Sequence, residues 1–433
     1  MQLTIEKLVY GGDGIARLPA DEHGRGKAVF VPFVLDGETV DVSISEEKRG
    51  FARGWPEEIL QPSSQRIEPD CPYFRHCGGC HYQHSSYHHQ LETKAAILKE
   101  NLRRIAKLEL ESAVIVHASP PWNYRNRARL KLRLIPDFAL GFYRLNSHLL
   151  LPVEQCPICS PLITRAITAA WEMGRAGSVP PGTEEIEFQA NADDSQLLVS
   201  IFRPGTDHHA FEDWAKSLNQ ALPGVIGVVQ FATERSHVPS GIAEPRRTAK
   251  WGTTELAYQT RSAAYRVTAG AFFQINRFLV DELTSAVLPD SSGKTALDLY
   301  AGVGLFSKLL ARSFAQVVAV ESSPTAYSDL LYNSPTNVTA VRQTAEEFLK
   351  SASGKLKADF VVMDPPRSGL GERVVGSLLA MGAPRLTYVS CDPATLARDL
   401  AGLLAGGYRL DTVHLLDLFP QTYHLESVIH LVR

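Results

Sequence analysis

The chain is expected to fold as a multidomain α/β protein, with a small N-terminal β-barrel, a central α+β part and a C-terminal doubly wound sheet. Its 433 residues are too many for one ordinary hydrophobic core and point to roughly two or three domains. Up to residue 61, short alternating runs (LTIEKLV, AVFVPF, ETVDVSI) are broken by GGDG, DEHGRG and DGE, the pattern of a small antiparallel barrel. Beyond residue 266, apolar runs alternate with helical ones: TALDLY, QVVAVE, ADFVVMD and RLTYVS each precede a glycine turn or a helix, as in a parallel doubly wound sheet.

Between these parts, PSSQRIEPD reads as a linker and SSYHHQLETKAAILKENLRRIAKL as a helix, with Leu91, Ala95, Leu98, Leu102 and Ile105 on its apolar face. From about residue 125 to 265, strand patterns such as EIEFQA, QLLVSIF and GVIGVVQF dominate, with a helix near 161 to 175, which is an α+β pattern. The boundaries fall at residues 1–61, 62–265 and 266–433.

Apolar residues make up 44% and charged residues 21%, an ordinary globular composition that argues against global disorder. No basic leader followed by an apolar run opens the chain, and no apolar stretch reaches ~18 residues, so a cytoplasmic protein with no membrane partner is expected. The net charge of −3 offers no bulk argument for nucleic-acid binding, so any such contact must be local. Between Lys99 and Arg133, nine Lys or Arg stand against three Glu. There, Arg125, Arg127, Arg129, Lys131 and Arg133 alternate with Asn126, Ala128, Leu130 and Leu132, giving a strand with one cationic face. That face is either solvated or in contact with phosphates, and on the second reading Ala at Arg127 and Arg129 flattens the salt dependence of binding.

Chemistry-bearing residues gather near the ends of the C-terminal strands. In TALDLYAGVGLFS the strand ends at Tyr300, and Gly302 and Gly304 open the next helix, so a ligand can approach the backbone, although a tight turn with no ligand fits too. Glu321, seventeen residues past Gly304, ends the next strand, where a carboxylate can accept hydrogen bonds from ribose hydroxyls. Ser307 stands where a nicotinamide fingerprint wants its third small residue, which favours a methyltransferase over a dehydrogenase. Asp364-Pro365-Pro366-Arg367 forms a rigid extended loop; in enzymes that methylate exocyclic amines the fourth residue is aromatic, and Arg367 counts against that chemistry. Cys391 follows RLTYVS on the side where open α/β sheets bind ligands, though a lone cysteine is more often a small core residue. As a nucleophile it needs a depressed pKa, for which the helix starting at ATLARDL offers a dipole. Glu426, in HLESVIHLV, is either a surface carboxylate or, if it faces Cys391, a base.

Together DLYAGVG, VVMDPPRSGL, VSCDPATLARDL and HLESV resemble the RNA uracil-5-methyltransferase family. GGDGIARL, AVFVPF and GETV resemble its TRAM domain, a small OB-like RNA-binding barrel. CPYFRHCGGCHYQH resembles its iron-sulfur segment, and YRNRAR, GFYRLNSH and GAFFQINRF match as well. The resemblance implies a Rossmann-like methyltransferase domain with Cys391 as nucleophile, Glu426 as base, and Gln274, Tyr300, Glu321 and Asp364 at the S-adenosylmethionine pocket. Leu305 stands where many relatives carry Asn, and no cofactor contact is assigned to it. The barrel and cluster together resemble most the branch acting on 23S rRNA, with tRNA as the other target class. The resemblance also implies that the helix around residues 91 to 107 packs on the catalytic domain. An RNA methyltransferase acting on an amine or on another carbon and a non-catalytic RNA-binding protein with a methyltransferase fold are the alternatives, and the presence of both Cys391 and Glu426 speaks against them.

Five of the six cysteines lie outside the catalytic motifs. Cys71, Cys77 and Cys80 supply three soft ligands, with Gly78 and Gly79 letting the backbone fold around a cluster. By resemblance Cys156 is the fourth ligand of a 4Fe-4S cluster, with Cys159 as competitor. Zinc is the rival metal, because His76, His81 and His84 lie nearby.

Overall fold

The computed structural model describes residues 1–19, 26–204, 209–233, 245–288 and 292–433. The predicted DEHGRG break lies outside the described residues apart from Gly26.

The N-terminal strands form one six-stranded sheet closed by the start of the chain. Gln2–Thr4 pairs with Thr39–Glu47, and Lys7–Leu8 pairs on the other side with Asp13–Arg17. Alternating side chains of Asp13–Arg17 and Ala28–Pro32 face inward, and Ala16, Val29 and Val31 join Leu3, Ile5, Val40 and Val42 in a small core. The barrel is not wholly antiparallel, because Ala28–Phe30 runs parallel to Phe51–Arg53.

A seven-stranded sheet over residues 127–252 forms the central part, with the helices Pro161–Arg175 and His209–Ala221. Ala128, Leu130, Ile186, Phe188 and Val199 face the first helix in one core.

The C-terminal sheet has eight strands. Across it run Val338–Val341, Phe314–Val320, Gly293–Leu299, Phe360–Met363, Arg385–Ser390, Glu426–Val432, Arg409–Leu416 and, at the edge, Ile115–His117. Phe360–Met363 is wholly buried, which explains its unbroken apolar run. One strand departs from the expected parallel arrangement: Glu426–Val432 is antiparallel to both neighbours. Residues 417–425 are too few for the crossover of about a dozen residues that a parallel return requires.

Two upstream segments complete this sheet. Ile115–His117 adds a parallel edge strand, and the helix Tyr87–Ile105, capped by the Ser86 side chain, packs Leu98 and Leu102 into its core. The buried face of that helix differs from the apolar one expected. Gln90, Thr93, Lys94, Ile97, Leu98 and Leu102 are buried, whereas Ile105 is exposed. Among the described residues no helix is long and apolar enough to cross a membrane.

Candidate active site

Four neighbouring strands of the C-terminal sheet end at one cavity of about 770 Å³, and each hands it the next residue in the chain. Tyr300 follows Leu299, Glu321 follows Val320, Asp364 follows Met363 and Cys391 follows Ser390. Gln274 and Glu426 complete the set, so all six residues singled out in the sequence line the same space.

The turn after the first strand explains its glycines. Tyr300, Gly302 and Gly304 all have positive φ, at 63°, 55° and 90°. A Cβ on Gly304 would lie 2.8 Å from Leu330 Cδ1, so both conformation and space demand glycine there. Glu321 fixes this turn by accepting the Gly302 N–H at 2.8 Å on one oxygen and the Ser323 N–H at 2.6 Å on the other. Ser307 does more than interrupt a glycine pattern, because its hydroxyl donates to the fully buried Asp298.

The cavity is rich in carboxyl groups. Burial, reinforced by Asp298, pushes Asp364 up to about 7. Burial likewise raises Asp298 to about 7, against the opposing pull of the Ser307 hydrogen bond. Glu426 is driven well above the usual carboxylate range by burial and by Asp364, with Arg367 opposing. Burial and mutual repulsion thus favour the protonated forms of Asp298, Asp364 and Glu426.

This corrects the expectation for Cys391. Burial and the carboxyls of Glu426 and Asp364 push its thiol up to about 12 rather than down. The helix Pro393–Ala405 does not offset them, because Asp392 caps it, accepting from Ala394 N and Thr395 N at 3.0 and 2.9 Å.

Residues that the motifs did not assign also line the cavity: Phe272, Leu305, Gln343, Arg367, Phe419 and His424. The Arg367 guanidinium lies 3.5 Å from both ring nitrogens of His424, and burial followed by Arg367 lowers that imidazole to about 3, so it is neutral. The sequence signals for Phe419 and His424 were only their places in the short stretch before Glu426.

Cys71, Cys77, Cys80 and Cys156 line a second cavity, of about 610 Å³. Among the described residues no group of three or more His, Cys, Asp or Glu has the arrangement to hold a single metal ion. Cys159 is instead wholly buried in the core of the central sheet. Two of the three nearby histidines are engaged elsewhere: His81 packs on Tyr423 with ring centroids 4.6 Å apart, and His84 Nε2 donates to the Val34 carbonyl at 3.3 Å.

The cationic strand Arg127–Arg133 alternates as expected, with Ala128 and Leu130 buried. Its partner strand changes the meaning of that face. Arg127 pairs with Glu187 at 2.8 Å, while Arg129 and Lys131 both pair with Glu185. Arg129 also covers the ring of Phe202, at 3.7 Å from its centroid. Most of the face is therefore an ion-pair ladder between strands, neither simply solvated nor free for phosphates.

An open α/β sheet whose strand ends present this set around one cavity belongs to the methyltransferase class of Rossmann-like folds. The profile of the tRNA (uracil-5-)-methyltransferase family matches residues 86–433, and that of the TRAM domain matches residues 1–55. The chain belongs to the tRNA (uracil-5-)-methyltransferase family and is an S-adenosylmethionine-dependent RNA methyltransferase. It is 33% identical to an uncharacterized RNA methyltransferase of Aquifex aeolicus over 99% of this chain and 97% of that one. A similarly described protein of Thermosynechococcus vestitus is 31% identical over the same shares of the two chains. Among solved structures, the Pyrococcus abyssi tRNA (uracil-54, C5)-methyltransferase in complex with S-adenosyl-L-homocysteine superposes with a TM-score of 0.77. At 24% identity and 99% coverage of both chains, that likeness speaks to the fold.

Proposed function

We propose that the protein methylates carbon 5 of a uridine in structured RNA, with Cys391 as covalent nucleophile and Glu426 as the base that removes the C5 proton. The observation that carries this reading is the convergence of Cys391, Glu426, Asp364 and Glu321 on one cavity at the sheet's strand ends.

Uracil C5 is too weak a nucleophile to take a methyl group unaided. Addition of Cys391 Sγ to C6 moves the C5=C6 electron pair onto the C4 carbonyl oxygen and makes C5 enolate-like. S-adenosylmethionine supplies an electrophilic methyl group and, as a sulfonium, a positive charge. The carboxyl-lined wall suits a cationic ligand, and a positive charge there helps Cys391 and Glu426 to ionise. After transfer, Glu426 takes the C5 proton. The C–H pair restores C5=C6, the C6–S bond breaks and its electrons return to Cys391 as thiolate. Gln274, Tyr300 and Asp364 are assigned to holding the cofactor, and Glu321 to its ribose.

Cys71, Cys77, Cys80 and Cys156 are assigned as ligands of a 4Fe-4S cluster. Four thiols around one cavity, beside the small residues Gly78 and Gly79, fit a group larger than a single ion. The C5 chemistry is redox-neutral, so the cluster's role here is to organise the segment.

The substrate proposed first is 23S rRNA. Transfer RNA is the second reading, favoured by the description of the matched family. Position-resolved nucleoside analysis of RNA from a deletion strain decides between them. Loss of a 5-methyluridine from 23S rRNA supports the first, loss from tRNA supports the second, and no loss from either overturns the reading.

A further inference from the structure

The loop from Asp417 to Leu425, which leads into Glu426, is held from outside the C-terminal sheet. Lys94, on the helix Tyr87–Ile105, donates to Asp417 Oδ1 at 2.6 Å and to the Phe419 carbonyl at 2.9 Å. Both charged side chains are fully buried. One helical turn earlier, Gln90 makes a two-way pair with Gln421: its Nε2 donates to Gln421 Oε1 at 3.0 Å, and its Oε1 accepts from Gln421 N at 2.9 Å. Gln421 sits at a φ of 68°, which a non-glycine residue keeps only when its surroundings enforce it. Its carbonyl accepts the N–H groups of both His81 and Tyr82, at the end of the cysteine segment.

A lysine in the buried stripe of an amphipathic helix is costly, and hydrophobic residues of similar volume commonly do as well or better for stability alone. What this pair and the adjoining amides gain is location. They fix a segment that presents Phe419 and His424 to the cavity and ends at Glu426. None of the hydrogen bonds of Lys94 or Gln90 described above reaches the other end of the chemistry, the turn at Cys391.

We propose that the Lys94–Asp417 pair, with the Gln90–Gln421 amide pair, is a positioning device for the proton-removal step, holding Glu426 in register with C5 of the adduct. This rests on the assignment of Glu426 as the base. Lys94 is therefore a positioning residue, and disturbing it should slow breakdown of the methylated adduct more than its formation.

The test uses the full-length protein with labelled RNA transcripts, read by denaturing gel, steady-state methyl transfer and thermal melting. Lys94→Met is expected to accumulate the methylated Cys391 adduct, as Glu426→Gln does, with kcat down on the order of 100-fold and KM for RNA little changed. The double variant Lys94→Met/Asp417→Leu removes the unpaired buried charge. It should regain melting temperature yet still accumulate adduct, because the Phe419 carbonyl loses its tie to the helix and keeps only the bonds from Thr422 within the loop itself. Gln90→Met disturbs the loop without touching the charge pair; it decides the matter if the lysine variants do not fold, with adduct build-up supporting the proposal and normal release overturning it. If Glu426→Gln traps adduct while folded Lys94→Met either releases product at the wild-type rate or loses adduct and turnover together, the positioning role is wrong and the base assignment stands. If Glu426→Gln traps none, the base assignment fails and this proposal falls with it.

Discussion

The Tyr10 hydroxyl donates a hydrogen bond of 3.0 Å to the backbone carbonyl of Cys391, joining residues 381 positions apart in the chain. Tyr10 also meets Tyr423 edge-on, with ring centroids 5.3 Å apart, and Tyr423 in turn packs on His424. The N-terminal barrel thus touches both the turn of the proposed nucleophile and the loop leading to the proposed base. Barrel and cavity therefore share one frame.

Removing that single hydrogen bond tests the coupling. Tyr10→Phe keeps the ring and its contact with Tyr423 but loses about 1 kcal/mol of hydrogen bonding, roughly a fivefold factor. Turnover is expected to fall by up to about that factor, and the melting temperature by a few degrees at most. Unchanged turnover would show that the barrel docks without orienting the Cys391 turn.

The buried Asp298 makes stability depend on pH in an uncommon direction. Its folded value of about 7 stands above the ordinary 3.8, so between the two the folded chain keeps a proton that the unfolded chain has released. The contribution is fully present below the unfolded value and is lost as pH rises through the folded one. Asp364, raised for the same reason, adds in the same sense. The melting temperature should fall between about pH 4 and about pH 7, and less so in Asp298→Asn, which keeps an acceptor for Ser307. Parallel pH profiles for the two proteins would rule out Asp298 as a source.

Much of this site was legible in the sequence because each wall residue directly follows a short, largely apolar strand, and such a strand in a parallel sheet ends where ligands bind. Tyr300, Glu321, Asp364 and Cys391 all carry that signature. What pattern alone did not give is contact across the chain. Gln90 and Lys94 occupy buried helix positions that periodicity assigns to apolar residues, and only the distant loop at Asp417 explains them. The alternation of Arg127, Arg129 and Lys131 told which way the side chains point, but not that Glu185 and Glu187 face them from the next strand. The raised thiol of Cys391 likewise depends on carboxyls from other strand ends, which no local motif reveals.

The ion-pair ladder reverses the expected effect of charge changes on RNA binding. Glu185 neutralises both Arg129 and Lys131, so Glu185→Gln frees two cations on that face. The log–log salt slope of RNA affinity should become steeper by about one to two units, whereas Arg129→Ala alone should alter it little. Binding measured from low to moderate salt checks this, and a flatter slope for Arg129→Ala would restore direct phosphate contact by the strand.

Protein purified without oxygen is expected to be brown and to contain about four irons and four sulfides. Cys156→Ser should lose the colour and Cys159→Ala should keep it, because Cys156 lines the cysteine cavity while Cys159 is in the neighbouring core. A colourless anaerobic preparation with stoichiometric zinc would overturn the cluster assignment.

The two proposed catalytic residues separate by the order of their steps. Cys391→Ala should abolish both methylation and any covalent intermediate, because without addition at C6 the C5 carbon never gains enolate character. Glu426→Gln leaves addition and methyl transfer possible but impairs removal of the C5 proton, so a methylated RNA adduct on Cys391 should build up. On a denaturing gel with labelled RNA, a shifted band should mark the Glu426 variant and none the Cys391 variant. Full turnover by Cys391→Ala would eliminate covalent catalysis. A folded, RNA-binding Glu426→Gln that turns over normally would move the base to another carboxyl of the cavity, of which Asp364 is the nearest in kind, its carboxyl being raised by desolvation as well.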